Sequence, residues 1–349
     1  MAKQRMIYRS KAPLRIGLAG GGTDVSPYCD EFGGAVLNAT ISLYARASIR
    51  QLNESKVVFQ AIDRNHRKEF DPGFIRDAGF GLDLHAGVYN RIMRDFNNGK
   101  FIPLELTTSV DVPPGSGLGT SSALVVAIIG AFAEMLSLPL GEYDIARLAY
   151  EIERIDLQMA GGKQDQYAAT FGGFNFMEFS SNGKVIVNPL RIKQRHMDEL
   201  AHNLVLFYTQ TSRNSSQIIE NQARAVAERQ QARIEATHHL KDQAIRMKEA
   251  LLKGELHAMG EILNYGWLHK KQIADGISNH EIDRLYETAL KNGAIGGKIS
   301  GAGGGGFMTF YCPGNNRYRL IDALRSFNGY VVNYEFTTEG LTTWSFDKE

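Results

Sequence analysis

Residues 6–18 read as an extended segment interrupted by Pro13, running into a glycine turn at 20–22. Residues 36–41, 45–51 and 56–62 are apolar or alternating runs of strand length, whereas 82–97 has helical character. Residues 104–112 alternate apolar and polar positions as a strand does, then meet Pro113-Pro114 and a glycine loop. The run 121–136 predicts a well-buried helix stopped near Pro139. Residues 142–157 predict a second, amphipathic helix, with Ile145, Leu148, Ala149, Ile152 and Ile155 on one face. Beyond a turn-rich stretch at 180–195, a short apolar strand at 204–209 precedes one or two long charged helices over 215–253. The end of the chain predicts a helix at 282–292, strands at 294–299 and 307–311, a helix at 316–327 and a strand at 331–336. Strands and helices alternate irregularly, and many strands look hairpin-connected, which favours two α+β domains, 1–190 and 191–349, over one doubly wound parallel sheet. A phosphate-handling cleft would lie between them.

At 349 residues and 43% hydrophobic composition the chain has ample length for two domains. Its formal net charge is only +1, so no overall field holds it on nucleic acid or an anionic membrane. Cys29 and Cys312 match no metal or redox spacing and read as two reduced thiols. Residues 1–10 lack the apolar core of a signal peptide, and the longest nearly apolar stretch, 123–133, is too short to span a bilayer. The expectation is a cytoplasmic protein with no nucleic-acid or membrane partner.

Glycine, at 36 residues, is the compositional anomaly, and it clusters. Residues 113–123, Pro-Pro-Gly-Ser-Gly-Leu-Gly-Thr-Ser-Ser-Ala, join a strand to a strongly helical segment. A helix start leaves N–H groups unpaired and carries partial positive charge, and glycines remove the Cβ atoms that would keep an anion away. Thr120, Ser121 and Ser122 add hydroxyls able to cap the helix, touch phosphate or ligate Mg²⁺. The loop is not a Walker motif. Gly297-Lys298 is followed by Ile299, and Asn292 stands where the first glycine belongs. Residues 301–306 satisfy the dinucleotide glycine spacing, but they run into a strand-like segment where that fingerprint requires a helix. Five glycines in six residues still call for close backbone approach, as in a ligand-supporting loop.

Three segments in order resemble the GHMP kinases, the family of galactokinase, homoserine kinase, mevalonate kinase and phosphomevalonate kinase. They are 12–24 (Ala-Pro-Leu-Arg-Ile-Gly-Leu-Ala-Gly-Gly-Gly-Thr-Asp), the loop 113–123 and the glycine run 298–307. The resemblance implies a ribosomal protein S5 domain 2-like N-terminal domain, a ferredoxin-like C-terminal α+β domain, and ATP and Mg²⁺ as cofactors. Galactokinase-like members usually carry Gly-Glu-His-Thr-Asp where this chain has Gly-Gly-Gly-Thr-Asp. That variant is similar to the branch that acts on D-glycero-D-manno-heptose phosphates, and residues 208–216 resemble both heptose and fucose kinase relatives. The implied reaction phosphorylates the 7-phosphate at its anomeric hydroxyl and feeds nucleotide-activated heptose synthesis, in a monomer or homodimer. An L-fucokinase-type or other sugar 1-kinase, a decarboxylase of the diphosphomevalonate type and a non-catalytic ATP- and sugar-binding sensor are the alternatives.

Residue by residue, the resemblance makes Asp165 the catalytic aspartate that orients the attacking hydroxyl, with Arg15 beside it. A cation there would stabilise the charged carboxylate and the transferring group, so orientation matters more than early proton removal. Pro113, Gly115, Ser116, Gly117, Leu118, Gly119, Thr120, Ser121 and Ser122 would wrap the nucleotide phosphates. Ser121 and Glu153 would hold Mg²⁺, with Glu151 in reserve because the segment before Asp165 is one residue longer than the family pattern. Gly22, Thr23, Asp24, Gly303 and Gly304 would contact the sugar, and Arg213 and Lys163 are candidates for its phosphate.

Overall fold

The computed structural model describes residues 6–76, 78–79, 81–211 and 215–347. Strands β1 (Met6–Ala19) and β2 (Gly34–Gln51) form a long antiparallel pair at its centre. β2 merges the two strands expected at 36–41 and 45–51. Its first half pairs with β6 (Phe174–Phe179) and its second with β5 (Leu104–Val110), and the β1 register shifts at Pro13/Leu14 between the two. Strands β3 (Val57–Ala61), β4 (His66–Phe70) and β7 (Val185–Pro189) complete the N-terminal part of this sheet. Of these, β4 is too polar to stand out from periodicity.

The helix Thr120–Leu136 packs on β1 and β2 and is buried from Ser122 to Phe132. A helix apolar all round can only sit inside, and this one is the spine of the larger core. The second expected helix holds as Glu142–Glu151 but continues into a π turn, Ile152–Asp156. The wider turn rotates Ile155 off the apolar face, leaving it 62% exposed rather than packed with Ile152.

Strands β8 (Leu204–Tyr208), β9 (Gly296–Ile299), β10 (Phe307–Tyr311) and β11 (Tyr330–Val332) make a second, antiparallel sheet in the order β11-β8-β10-β9. Helices lie between β8 and β9 and between β10 and β11. The chain path strand–helix–strand–strand–helix–strand with this order is the ferredoxin-like arrangement. The charged segment 215–253 resolves into two helices, Ser215–Ala227 and Gln231–Lys253. An unanticipated helix, Leu256–Ile273, packs against the second of these and against β9. The end of the chain departs from the expected division at 190/191. Phe336 bridges to Ile41, and β12 (Thr342–Asp347) pairs with β1, so the last residues belong to the first sheet.

The two halves meet backbone to backbone at the glycine loops. Gly117 has φ +83°, and a Cβ on it would stand 2.4 Å from the Ser300 carbonyl oxygen. A Cβ on Gly306 would stand 2.4 Å from the Ser116 carbonyl oxygen, which also accepts the Phe307 N–H at 2.9 Å. Each glycine cluster is therefore required by the other. Gly117→Ala is expected to destabilise the protein by about 2 kcal/mol or more in urea unfolding. Gly73→Ala, where a Cβ meets nothing within 4 Å, serves as the control and should stay within about 0.5 kcal/mol.

Candidate active site

β1 delivers Arg15 from the sheet interior, 4% exposed, to the glycine loop. Its Nε donates to Asp165 Oδ1 at 2.7 Å, and a terminal nitrogen lies 2.6 Å from the same oxygen. The other terminal nitrogen donates to the Gly117 carbonyl at 2.5 Å. Asp165 sits in the first turn of the helix Gln164–Phe171 rather than in a loop. Its carboxylate packs on Gly119, where a Cβ would come 3.3 Å from Cγ. One guanidinium thus ties the carboxylate to the loop in front of the helix Thr120–Leu136. That helix starts at Gly119 in the left-handed region with no side-chain cap. Of the hydroxyls expected as caps, those of Ser121 and Ser122 are engaged elsewhere, and the first N–H groups keep their capacity to meet an anion.

Those hydroxyls meet Glu153, which is fully buried. Ser121 Oγ donates to Glu153 Oε1 at 2.8 Å and Ser122 Oγ to Oε2 at 2.7 Å, with Gln166 Nε2 at 2.5 Å from Oε2. Glu151 instead faces Arg91 and Arg147, at 2.6 and 2.9 Å. Glu153 lies in the π turn, which presents its carboxylate to the serines. Two oxygens 2.8 Å apart match the roughly 2.9 Å between adjacent ligands of octahedral Mg²⁺. The donor set fits that ion, with waters and phosphate oxygens filling the other positions. Among the described residues no group of three or more His, Cys, Asp or Glu gathers to hold a metal by itself.

Two cavities open on this loop. The larger, about 560 Å³, has apolar walls from Leu84, Val110, Val112, Leu124 and Leu157, with Asp63, Arg64 and Asp83 also lining it. The smaller, about 280 Å³, is lined by Arg15, Asp24, Asp165, Gln164, Lys270 and Lys298, among others. Gly115, Thr120, Ser121 and Met159 belong to both, so a molecule in one can reach the other along the phosphate loop.

Several expected site residues face elsewhere. Leu118 is a core side chain and Pro113 lies outside both cavities, although the Leu118 carbonyl accepts the Arg15 N–H. The Ser116 side chain is fully buried beneath the glycine contact. Thr23 is also fully buried. Its Oγ1 lies 2.8 and 2.9 Å from the Gly20 and Ala35 carbonyls and accepts the Ala35 N–H, bracing the turn from inside. Gly303 and Gly304 pack against Ile277, whose carbonyl takes the Gly304 N–H, and the cavity is met by Gly301 and Ala302 instead. Gly22 and Asp24 do line it. Asp24 Oδ2 accepts the Gln164 N–H at 3.0 Å, and Oδ1 accepts the Gly22 N–H at 3.2 Å. Lys163 points away, with its ammonium 3.0 Å from Asp30 and 3.5 Å from Cys29 Sγ. Burial works against that charge, but the Asp30 hydrogen bond and the Cys29 thiol raise the Lys163 pKa on balance. Arg213 lies outside the described residues.

Sequence reasoning missed Lys270, Lys298, Gln164 and Arg154, all on the smaller cavity. Lys298 heads the second glycine run. Lys270 falls on the apolar stripe of Leu263, Trp267 and Ile273, and a charge in such a stripe was its one available signal. Burial pulls the Lys270 ammonium down to about 8 and holds Lys298 well below its ordinary value.

Thr23→Val is expected to cost about 1–3 kcal/mol of stability in thermal or urea unfolding, because it strands buried backbone groups. Lys163→Met should leave the substrate KM within about twofold, since its ammonium serves Asp30 and not the cavity. A large KM change in Lys163→Met would return that residue to the site.

Family models described as GHMP kinases N terminal domain and GHMP kinases C terminal match residues 83–173 and 247–329. The chain is 49% identical over 336 residues to a D-glycero-alpha-D-manno-heptose 7-phosphate kinase of Campylobacter jejuni, covering 96% of this chain and 98% of that protein. A crystal structure of a D-glycero-D-manno-heptose 1-phosphate kinase from Bacteroides thetaiotaomicron matches with a TM-score of 0.82 at 44% identity, over 97% of this chain and 98% of that one. Lactococcus lactis galactokinase, solved with galactose, shares the fold at 19% identity with a TM-score of 0.77, over 96% and 95% of the two chains.

Proposed function

The chain belongs to the GHMP kinase family, and from that premise we propose that it transfers the γ-phosphoryl group of ATP to the anomeric hydroxyl of D-glycero-D-manno-heptose 7-phosphate. The observation that carries the reading is the Arg15–Asp165 pair, set where the phosphate loop meets the smaller cavity. The names of the two most similar relatives described above both contain a D-glycero-D-manno-heptose phosphate, which supports a phosphorylated sugar as the acceptor.

In this reading the base of ATP enters the larger, apolar cavity, and its phosphates run along residues 115–122 to the positive end of the helix Thr120–Leu136. Ser121 and Glu153 would hold Mg²⁺, which when bound offsets charge on the β- and γ-phosphate oxygens. The sugar occupies the smaller cavity, where Asp24 accepts from its hydroxyls. Asp165 accepts a hydrogen bond from the anomeric hydroxyl and aims its oxygen at the γ-phosphorus. A bond forms between that oxygen and phosphorus, the bond from phosphorus to the ADP oxygen breaks, and the hydroxyl proton passes to Asp165. Arg15 holds the carboxylate in place and adds positive charge beside the transferring group. Because phosphoryl transfer is loose, most of the rate comes from this positioning.

Purified protein with Mg-ATP should release ADP when the heptose 7-phosphate is added, and phosphorus NMR should show one new phosphate on the anomeric carbon. Absence of ADP, or a phosphate on another carbon, would overturn the acceptor assignment. Asp165→Asn is expected to lower kcat by about 10²- to 10⁴-fold while the Kd for a non-hydrolysable ATP analogue changes by less than about threefold.

A further inference from the structure

Lys270 and Lys298 have no part in the reaction as described, yet both line the smaller cavity. They reach it from the C-terminal half, on the helix Leu256–Ile273 and on β9, and are only 3% and 5% exposed. Lys298 Nζ donates to the Gly17 carbonyl at 2.7 Å and Lys270 Nζ to the Gly21 carbonyl at 3.3 Å. The two ammonium groups thus bracket the segment of chain that leads to Asp24. Neither has a carboxylate within 4.0 Å among the described residues, and Asp24 acts on Lys270 only from beyond ion-pair distance. Arg15 adds repulsion to both.

A lysine ammonium has three N–H donors, and one carbonyl satisfies one of them. Two buried lysines with spare donors and no carboxylate partner among the described residues are suited to receive an anion. The ATP phosphates have their own seat in the loop, the helix start and Arg15. Lys298 stands beside Gly17, two residues beyond Arg15 on the same face of β1, a step of roughly 7 Å along the strand. Neither lysine touches the larger cavity. Lys163, a candidate for this duty from sequence, is already paired with Asp30.

We infer that Lys270 and Lys298 together seat the phosphate that the acceptor already carries, and so select a phosphorylated sugar over a plain one. This rests on the reading of the acceptor as a sugar phosphate. The two point charges act through charge-assisted hydrogen bonds.

The test compares the full-length wild type with Lys270→Met and Lys298→Met, which keep the length of the buried stem. Each is assayed with D-glycero-D-manno-heptose 7-phosphate and with the unphosphorylated heptose. Loss of one charge-assisted hydrogen-bonding group should cut the kcat/KM ratio between the two acceptors by about 10- to 100-fold, mostly through KM for the sugar phosphate. An unchanged ratio, or an equal loss on both acceptors, would overturn the inference. Inorganic phosphate supplies a second measurement that needs no turnover. It should raise the wild-type melting temperature in competition with the sugar phosphate, and should lose that effect in either variant. With a non-hydrolysable ATP analogue saturating the loop, phosphate stabilisation that persists in both variants would also sink the lysine seat. A wild type that binds phosphate through these lysines but turns over neither sugar would reject the proposed reaction and leave the seat standing.

Discussion

The backbone of residues 115–117 lies directly against that of residues 300–306, with no room for a side chain between Gly117 and Ser300 or between Gly306 and Ser116. This contact joins a loop of the first sheet to a loop of the second, and the site is arranged around it. With Gly117 held there, its carbonyl meets Arg15, and Arg15 in turn holds Asp165. With Ser300 held there, β9 carries Lys298 over Gly17. A side chain at either glycine would separate the two halves and pull Lys270 and Lys298 from the Gly21 and Gly17 carbonyls. Tight backbone approach accounts for Gly117 in the first run and for Gly301, Gly303, Gly305 and Gly306 in the second.

Charge inside the site follows two different rules. Buried Arg15 with partly exposed Asp165, and buried Glu153 with Ser121, Ser122 and Gln166, are charges supplied with partners, as low-dielectric surroundings require. These groups are held in one geometry before any ligand arrives, which is what catalysis by positioning needs. Lys270 and Lys298 are buried with one carbonyl each, and burial lowers both pKa values. The first pattern suits machinery used in every turnover. The second suits a place whose counter-charge comes and goes with the substrate.

Much of the fold could be read along the chain. The long buried helix after the phosphate loop, the strands around it and the ordering of the glycine segments all follow from local pattern, because each is dictated by its own residues. Two of the departures have equally local causes. Ile155 fits a straight amphipathic helix by spacing, and only the π turn takes it out to solvent. The helix Leu256–Ile273 was passed over because its apolar stripe is broken by Lys270. The strand β12 went unread because its pairing with β1 joins residues more than 300 positions apart, for which no local pattern exists.

By itself the sequence determined that a glycine loop opens a buried helix, that two further glycine segments flank it along the chain, and that Arg15, Ser121, Glu153 and Asp165 are chemically suited to phosphoryl transfer. It could not tell a glycine that frames a cavity from one that lets two backbones touch, nor a threonine facing substrate from one bracing a turn. Those distinctions depend on which atoms approach from distant parts of the chain. Folding decided them, placing Glu153 rather than Glu151 at the serines, turning Lys163 toward Asp30, and bringing two lysines from the far half of the molecule into the cavity without a counter-ion.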